Sequence, residues 1–343
     1  MIDMNETNAK LVEDLMISCI GCKRCLKACP SYANGGCDPY YVMHGWDGNV
    51  KACIGCGKCS EVCPATDPKT VMLHMKAEAL GLPVPEAFVK YGYVIPPADP
   101  SWKEGLPEIP EGKDMYLLPG CIVNGRLPYL KYATARAFQA VGVGIKELSD
   151  NKCCMYPIPL RSMTDVERNS VKYRMRNRMQ GREAVTLCAG CCNEFARGGV
   201  YAPHVSTILA RYLERIRGLP GLKGLKVALE PGCSAERFMK DFEAVVRATG
   251  AEPVGNRYGC CGKNIPGVKD ALMKERQEEC ADADAIVAGC PNCMVFYDAV
   301  PGGKPVIHLT ELVALAAGDS ETQMYHSLKI RSEDPRVSSM LSK

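Results

Sequence analysis

Leu-Leu-Pro-Gly-Cys at Leu117–Cys121 returns as Leu-Glu-Pro-Gly-Cys at Leu229–Cys233. Three further pieces return in the same order. Cys153-Cys154 recurs as Cys260-Cys261, Cys188-x2-Cys191 as Cys290-x2-Cys293, and HVSTIL from His204 as HLTELV from His308. The offsets are 112, 107, 102 and 104 residues. The second half of the chain therefore reads as one domain of about 105 residues written twice, within the usual domain size. In the second copy KVALE (226–230), DAIVAG (284–289) and KPVIH (304–308) read as short apolar strands. AERFMKDFEAVVRATG (235–250), KDALMKERQEECADA (269–283) and LTELVALAAG (309–318) read as helices. In the first copy MYLL (115–118) opens the same way. Strands alternating with helices predict a parallel sheet with helices packed on it. Ligands of such sheets sit at the carboxyl ends of the strands, which is where both Pro-Gly-Cys turns and both Cys-x2-Cys pairs fall.

The 343 residues hold 21 cysteines, with 47% apolar and 24% charged residues and a net charge of +3. The apolar fraction supports a large core and excludes a mostly disordered chain. The odd cysteine count leaves one thiol over in any complete disulfide framework. MIDMNETNAKLVEDL at the N-terminus is acidic and has no apolar core of a secretory signal, and no run of about 18 apolar residues predicts a membrane span. The expected location is the cytoplasm, with a peripheral position on a membrane complex also open. Metal ligation is then the leading use for the thiols.

Two runs near the N-terminus name the metal. Cys19-x2-Cys22-x2-Cys25-x3-Cys29-Pro30 and Cys53-x2-Cys56-x2-Cys59-x3-Cys63-Pro64 both carry the spacing of two-cluster bacterial ferredoxins. In that pattern the fourth cysteine crosses to the other cluster. Cys19, Cys22, Cys25 and Cys63 are expected on one cubane [4Fe–4S] cluster, and Cys53, Cys56, Cys59 and Cys29 on the other. Zinc takes four ligands, often as separated pairs, and fits two such crowded runs poorly. Cys37 reads as a buried free thiol, and His44 and His74 as packing or surface residues. Seven prolines between residues 79 and 112 predict a stiff linker.

The repeated cysteines form sets of five: Cys121, Cys153, Cys154, Cys188 and Cys191, then Cys233, Cys260, Cys261, Cys290 and Cys293. Five thiolates exceed the needs of one tetrahedral zinc, so each set is read as holding one irregular iron–sulfur cluster. Cys192 and Cys280 lack counterparts in the other copy and are not expected to be ligands. Cys188-Ala-Gly-Cys191 has the spacing of a dithiol redox pair but no thioredoxin-like context.

At these residues the chain resembles the cysteine-rich CCG domain of the heterodisulfide reductase B subunit, and the preceding module resembles the C subunit. The C-then-B order is similar to the fused D subunit. The resemblance implies an α+β multi-domain chain: a small helical two-cluster ferredoxin-like domain (1–78), the linker (79–112), two α/β parallel-sheet CCG domains (113–219 and 220–318) and a tail (319–343). It implies two cubane and two noncubane [4Fe–4S] clusters, the latter held by the two five-cysteine sets. It implies an enzyme that reduces a disulfide, the CoM-S-S-CoB heterodisulfide, with electrons arriving through the cubanes. Related modules are instead non-catalytic electron-transfer components beside flavin enzymes, of the lactate or glycolate oxidase or thiol:fumarate reductase type. Spectroscopy separates the two.

The first doublet is followed by Met155 where the second has Gly262, a difference expected to alter one pocket because glycine permits close backbone approach. Arg126, Arg161 and Lys263 lie near the cysteines in sequence and are candidates to meet an anionic substrate. Arg168, Lys172, Arg174, Arg176, Arg178 and Arg182 are read as an exposed helix face that docks an acidic partner. His204 and His308 are assigned structural hydrogen bonds at strand ends. No dinucleotide fingerprint occurs, so a partner must supply electrons, either a flavin-containing protein or a membrane cytochrome within a larger complex. Nucleic-acid binding is not expected.

Overall fold

A computed structural model describes residues 4–81, 84–155, 165–255, 260–262, 265 and 267–330. The N-terminal module is helical. Helix α1 (Met4–Ile17) packs on α2 (Pro68–Leu80), and the two ferredoxin-type loops lie between them in the chain. Val12, Val42, Met43, Val50, Val71 and Met72 form its small core. Asp67 caps α2 by accepting from the Thr70 amide, and Pro68 occupies the first turn, where no amide hydrogen is needed.

The first repeat contains β1 (Met115–Leu118), α3 (Tyr129–Ala140), β2 (Ile145–Glu147), α4 (Asp165–Met179), β3 (Ala184–Thr186) and α5 (Ala189–Arg197). The second contains β4 (Lys226–Glu230), α6 (Met239–Ala248), β5 (Glu252–Pro253), α7 (Lys269–Glu279), β6 (Ala285–Ala288), α8 (Pro291–Tyr297), β7 (Val306–His308) and α9 (Leu309–Ala316). All pairings are parallel, in the orders β2-β1-β3 and β5-β4-β6-β7. The registers match across the copies: Leu118 pairs with Thr186, and Glu230 with Ala288. In place of a fourth strand the first sheet has a single parallel bridge, Thr186 to His204, where the second pairs Ala288 with His308. β1 and β6 are buried along their whole length, as strands covered on both faces must be. One core runs through both repeats, from Leu117, Phe138 and Val185 to Leu229, Ile286 and Leu312.

Two segments outside the repeats pack against them. The proline-rich segment, read as a stiff linker, is one. It holds a short helix, Glu86–Tyr91, and lies along the first repeat, where Ala98 N–H donates to the Asn124 carbonyl at 2.8 Å and Cys153 N–H to the Gly92 carbonyl at 2.9 Å. Gly125 leaves the room that Ile95 and Pro96 fill. Pro83 lies outside the described residues. Residues 319–330 are the other. Asp319 accepts from Tyr132 Oη at 2.9 Å and Arg136 Nε at 2.6 Å, and Tyr325 stacks on Tyr129 at 4.8 Å. Among the described residues no helix is long and apolar enough to cross a membrane.

His326 ties this C-terminal segment to α9. Its Nε2 lies 2.9 Å from Glu311 Oε1, and its Nδ1 lies 3.5 Å from Asp298 Oδ1. Burial alone would lower its pKa, but the two carboxylates overcome this and push it up to about 10. An unfolded histidine titrates near ~6.5. The charged form therefore stabilises the fold fully below that pH, and the contribution is lost as pH rises through about 10. His326→Gln should cost about 3 kcal/mol at pH 6. The gap between wild-type and variant unfolding curves should narrow as pH is raised towards 10; a gap that stays constant would contradict the assignment.

Candidate iron–sulfur and disulfide site

The two ferredoxin loops share the spelling Cys-Ile-Gly-Cys, at 19–22 and 53–56. Each bends through two left-handed residues, Gly21 and Lys23 in the first and Gly55 and Gly57 in the second. Left-handed residues let so short a loop turn sharply between its cysteines. Burial, reinforced by Cys19, Cys63 and Cys22, pushes Cys25 up to about 11. Burial raises Cys59 as well, with Cys53, Cys56 and Cys29 as neighbours. Cys63 thus interacts with Cys25 of the first run, and Cys29 and Cys25 both interact with Cys59 of the second. Cys22 is exposed, while Cys56 and Cys59 are buried. Cys37 is buried, 3.9 Å from Met72 Sδ. Its thiol donates to Cys53, and with Lys76 and Lys69 nearby this brings Cys53 down to about 7.

All ten cysteines of the two repeated sets line one cavity of about 470 Å³. Cys121 and Cys233 follow the Pro-Gly turns that end β1 and β4. Both glycines are left-handed, with φ of 79° and 92°. A Cβ on Gly120 would lie 3.1 Å from Cys191 Sγ, and one on Gly232 would lie 2.8 Å from Cys290 Cβ. Only glycine gives both the turn and the approach. Cys188 and Cys290 occupy the N-cap positions of α5 and α8 in extended conformation, which puts Cys191 and Cys293 one turn further along each helix. The doublets match as well. Met155 N–H donates to Cys153 Sγ at 3.3 Å, and Gly262 N–H to Cys260 Sγ at 3.3 Å. Met155 keeps the left-handed φ of Gly262, 69° against 76°, so the residue difference leaves the loop path unchanged. The methionine side chain is fully buried beside Cys121 and Cys153.

The sulfurs touch one another. Cys293 Sγ is 3.4 Å from Cys261 Sγ. Hydrogen bonds to neighbouring thiols, then burial, hold Cys153, Cys191, Cys260 and Cys293 well above the usual thiol range. Cys290 goes the other way because Cys188 and Cys293 donate to it. The Cys188–Cys290 contact joins the two sets. Among the described residues no three His, Cys, Asp or Glu side chains close on a point as the ligands of a single metal ion do. The sulfurs spread over the walls of a cavity instead, a donor set of soft thiolates suited to a larger inorganic core.

His204 and His308 exchange places between the repeats. His204 Nε2 is 2.9 Å from the Gly289 carbonyl, the residue before Cys290. His308 Nε2 is 3.3 Å from the Leu187 carbonyl, the residue before Cys188. A carbonyl only accepts, so both Nε2 atoms carry the proton. Nδ1 accepts from the Ser206 and Thr310 amides at 3.3 Å each. Burial lowers both histidines, His308 to about 4 with His204 adding to the effect, and both are neutral. Beneath the second Pro-Gly-Cys turn, Glu230 is buried against Arg276 Nε at 3.1 Å and Tyr297 Oη at 3.1 Å.

The ferredoxin module reaches the cavity. Cys53, Ile54 and Gly55 form part of its wall, and Ser234 Oγ donates to the Cys56 carbonyl at 3.3 Å. Apolar lining comes from Leu73, Val94, Ile95 and Ile122. The only charged side chains among the described lining residues are Lys76 and Arg126. Arg126 was a candidate from its sequence position; Lys76, with Nζ 2.5 Å from the Cys53 carbonyl, carried no such signal. Arg161 and Lys263 lie outside the described residues. Cys192 and Cys280 are buried and do not line the cavity. One reading is corrected: Arg168 and Lys172 do not belong to an exposed basic face. Both are buried, while Arg174, Arg176, Arg178 and Arg182 of the same run are exposed.

Residues 18–67 match the 4Fe-4S dicluster domain, and residues 115–196 and 227–297 match the cysteine-rich domain. The chain is 26% identical to the B subunit of ferredoxin:CoB-CoM heterodisulfide reductase from Methanosarcina mazei, over 61% of the chain and 90% of that protein. It is 24% identical to the membrane anchor of 8-methylmenaquinol:fumarate reductase from Wolinella succinogenes, over 60% and 93%. It is 24% identical to the B subunit of fumarate reductase (CoM/CoB) from Methanothermobacter marburgensis, over 61% of the chain and 47% of the relative. Each of these is named as part of a reductase. With its matched domains and its twice-written cysteine pattern, the chain is an iron–sulfur protein of the oxidoreductase type, a 4Fe-4S dicluster domain joined to two cysteine-rich domains and related to the heterodisulfide reductase B subunit.

Proposed function

We propose that this chain reduces a disulfide, the CoM-S-S-CoB heterodisulfide, in the ten-cysteine cavity. Cys121, Cys153, Cys154, Cys188 and Cys191 hold one noncubane [4Fe–4S] cluster, and Cys233, Cys260, Cys261, Cys290 and Cys293 hold the other. Cys19, Cys22, Cys25 and Cys63 hold one cubane; Cys53, Cys56, Cys59 and Cys29 hold the second. The observation that carries this reading is the meeting of both five-cysteine sets in one cavity. Two facing sets suit a substrate with two sulfurs to separate.

Splitting the S–S bond takes two electrons and two protons and gives two thiols. When bound, the clusters would pass on single electrons from a donor protein, a flavoprotein or a membrane cytochrome, and solvent would supply the two protons. Cys22 is exposed, so a cluster held by its loop would lie near the surface, and one held by the Cys53–Gly55 loop would border the cavity. Leu73, Val94, Ile95 and Ile122 give the cavity apolar walls, and a low-dielectric wall strengthens the charge interactions beside it. Lys76 and Arg126 attract the anionic groups of the substrate. The fumarate reductase relatives favour a second reading, in which the chain only relays electrons.

Anaerobically prepared full-length protein should bind roughly sixteen irons and develop a new paramagnetic signal when coenzyme M is added to the oxidised form. About eight irons, all cubane in their spectra, would remove the catalytic reading, and a full complement with no response to coenzyme M would leave the relay. Gly232→Ala forces a side chain into a left-handed turn, at a cost of about 1–2 kcal/mol, and against Cys290. Its iron content should fall by about a quarter with the cubane signals retained. Unchanged iron in this variant would show that the turn does not shape a cluster site.

A further inference from the structure

A group of four charged side chains lies buried between the ferredoxin module and the first repeat. Lys69 of α2 pairs with Glu194 of α5. Arg168 Nη2 and Lys172 Nζ of α4 lie 3.5 Å and 3.6 Å from the other carboxylate oxygen. None of the four side chains is more than 8% exposed. Three cations thus surround one carboxylate.

Each member also reaches a cysteine-bearing segment. Lys69 passes over the second ferredoxin loop, its Cδ 3.3 Å from where a Cβ on Gly57 would sit, between Cys56 and Cys59. Arg168 Nη2 lies 3.4 Å from the carbonyl of Met155, next to the Cys153-Cys154 doublet. Glu194 stands on the helix that Cys188 caps and that carries Cys191. Lys172 is threaded past Gly198, which has no side chain to block its stem. Glu194 would be raised by burial but is held below the usual carboxylate range by Lys69, Lys172 and Arg168. Burial depresses Lys172, which Glu194 and the Cys154 sulfur counteract. Buried cations favour negative charge placed near them. Thiolate-ligated clusters provide it, and each electron they accept adds one more negative charge.

We propose that Lys69, Arg168, Lys172 and Glu194 act together as a buried, cation-rich group that raises the reduction potentials of the two centres it lies between, the cubane of Cys53, Cys56, Cys59 and Cys29 and the first five-cysteine cluster. It rests on the cluster assignment above. These are positioning and tuning residues; they touch neither substrate nor ligand sulfur in the described hydrogen bonds. Because the group is out of solvent, its effect is little screened by salt. It keeps the neighbouring centres easy to reduce as electrons pass from the ferredoxin module into the cavity.

The test is a redox titration of the full, cluster-loaded chain, followed by paramagnetic resonance. Lys172→Met should lower the midpoint of the first five-cysteine cluster, whose Cys154 it interacts with, by about 59 mV, a tenfold change in the one-electron equilibrium, and Lys172→Arg should restore it. Glu194→Gln should move it upwards, and both shifts should persist in high salt. Opposite signs from one site are not produced by general loosening. Equal potentials in Lys172→Met and Lys172→Arg, or shifts of the same sign in Lys172→Met and Glu194→Gln, would overturn the proposal. If Glu194→Gln does not fold, the lysine pair alone decides. Iron content and the cubane signal, measured on the same samples, report separately whether the clusters are assembled, so failure of the tuning is distinguishable from failure of the assignment.

Discussion

Ten thiols around a single cavity of about 470 Å³ is an arrangement that ordinary packing does not favour. Buried and protonated, they are weak hydrogen-bonding groups pressed against one another. Ionised, they repel. The upward displacement of Cys153, Cys191, Cys260 and Cys293 expresses that conflict. A cationic inorganic core resolves it, because coordination stabilises the thiolates that burial opposes. The rest of the molecule is arranged to bring these sulfurs together and hold them there.

Duplication does most of that work. Two parallel sheets with matching register end in matching turns, and a continuous core fixes one against the other. Left-handed glycines at 120 and 232 let each turn approach the other cysteines of its own set. The exchanged histidines then lock the two copies. Each neutral imidazole holds the carbonyl that precedes the other copy's Cys-x2-Cys pair. Each half thus supplies a hydrogen bond to the loop that carries the other's cysteine pair. The Cys188–Cys290 contact is the point where the two sets meet.

Much of this was legible in the sequence because it depends on spacing. The strands KVALE, AIVA and VIH were readable as short apolar runs, and the cysteine positions at their ends followed from topology. The structural role assigned to His204 and His308 agrees with their bonding, though only the fold reveals that they reach across to the opposite copy. Composition misled at two places. Prolines between 79 and 112 suggested a spacer, yet Val94 and Ile95 among them are cavity wall. The run from Arg168 to Arg182 looked like one basic face. A helix turns every 3.6 residues, and Arg168 and Lys172, four apart, point inward to Glu194. Lys69 and Lys76 carried no sequence signal, since their partners are 125 residues away or a backbone carbonyl.

The central claim is that irregular four-iron cores occupy both ends of the ten-cysteine cavity. An anomalous diffraction map collected at the iron absorption edge, from anaerobically grown crystals, tests it most directly. Two separate groups of iron peaks are predicted inside the cavity, one beside Cys121, Cys153, Cys154, Cys188 and Cys191 and one beside Cys233, Cys260, Cys261, Cys290 and Cys293, in addition to two in the N-terminal module. A map with iron in that module alone would contradict it.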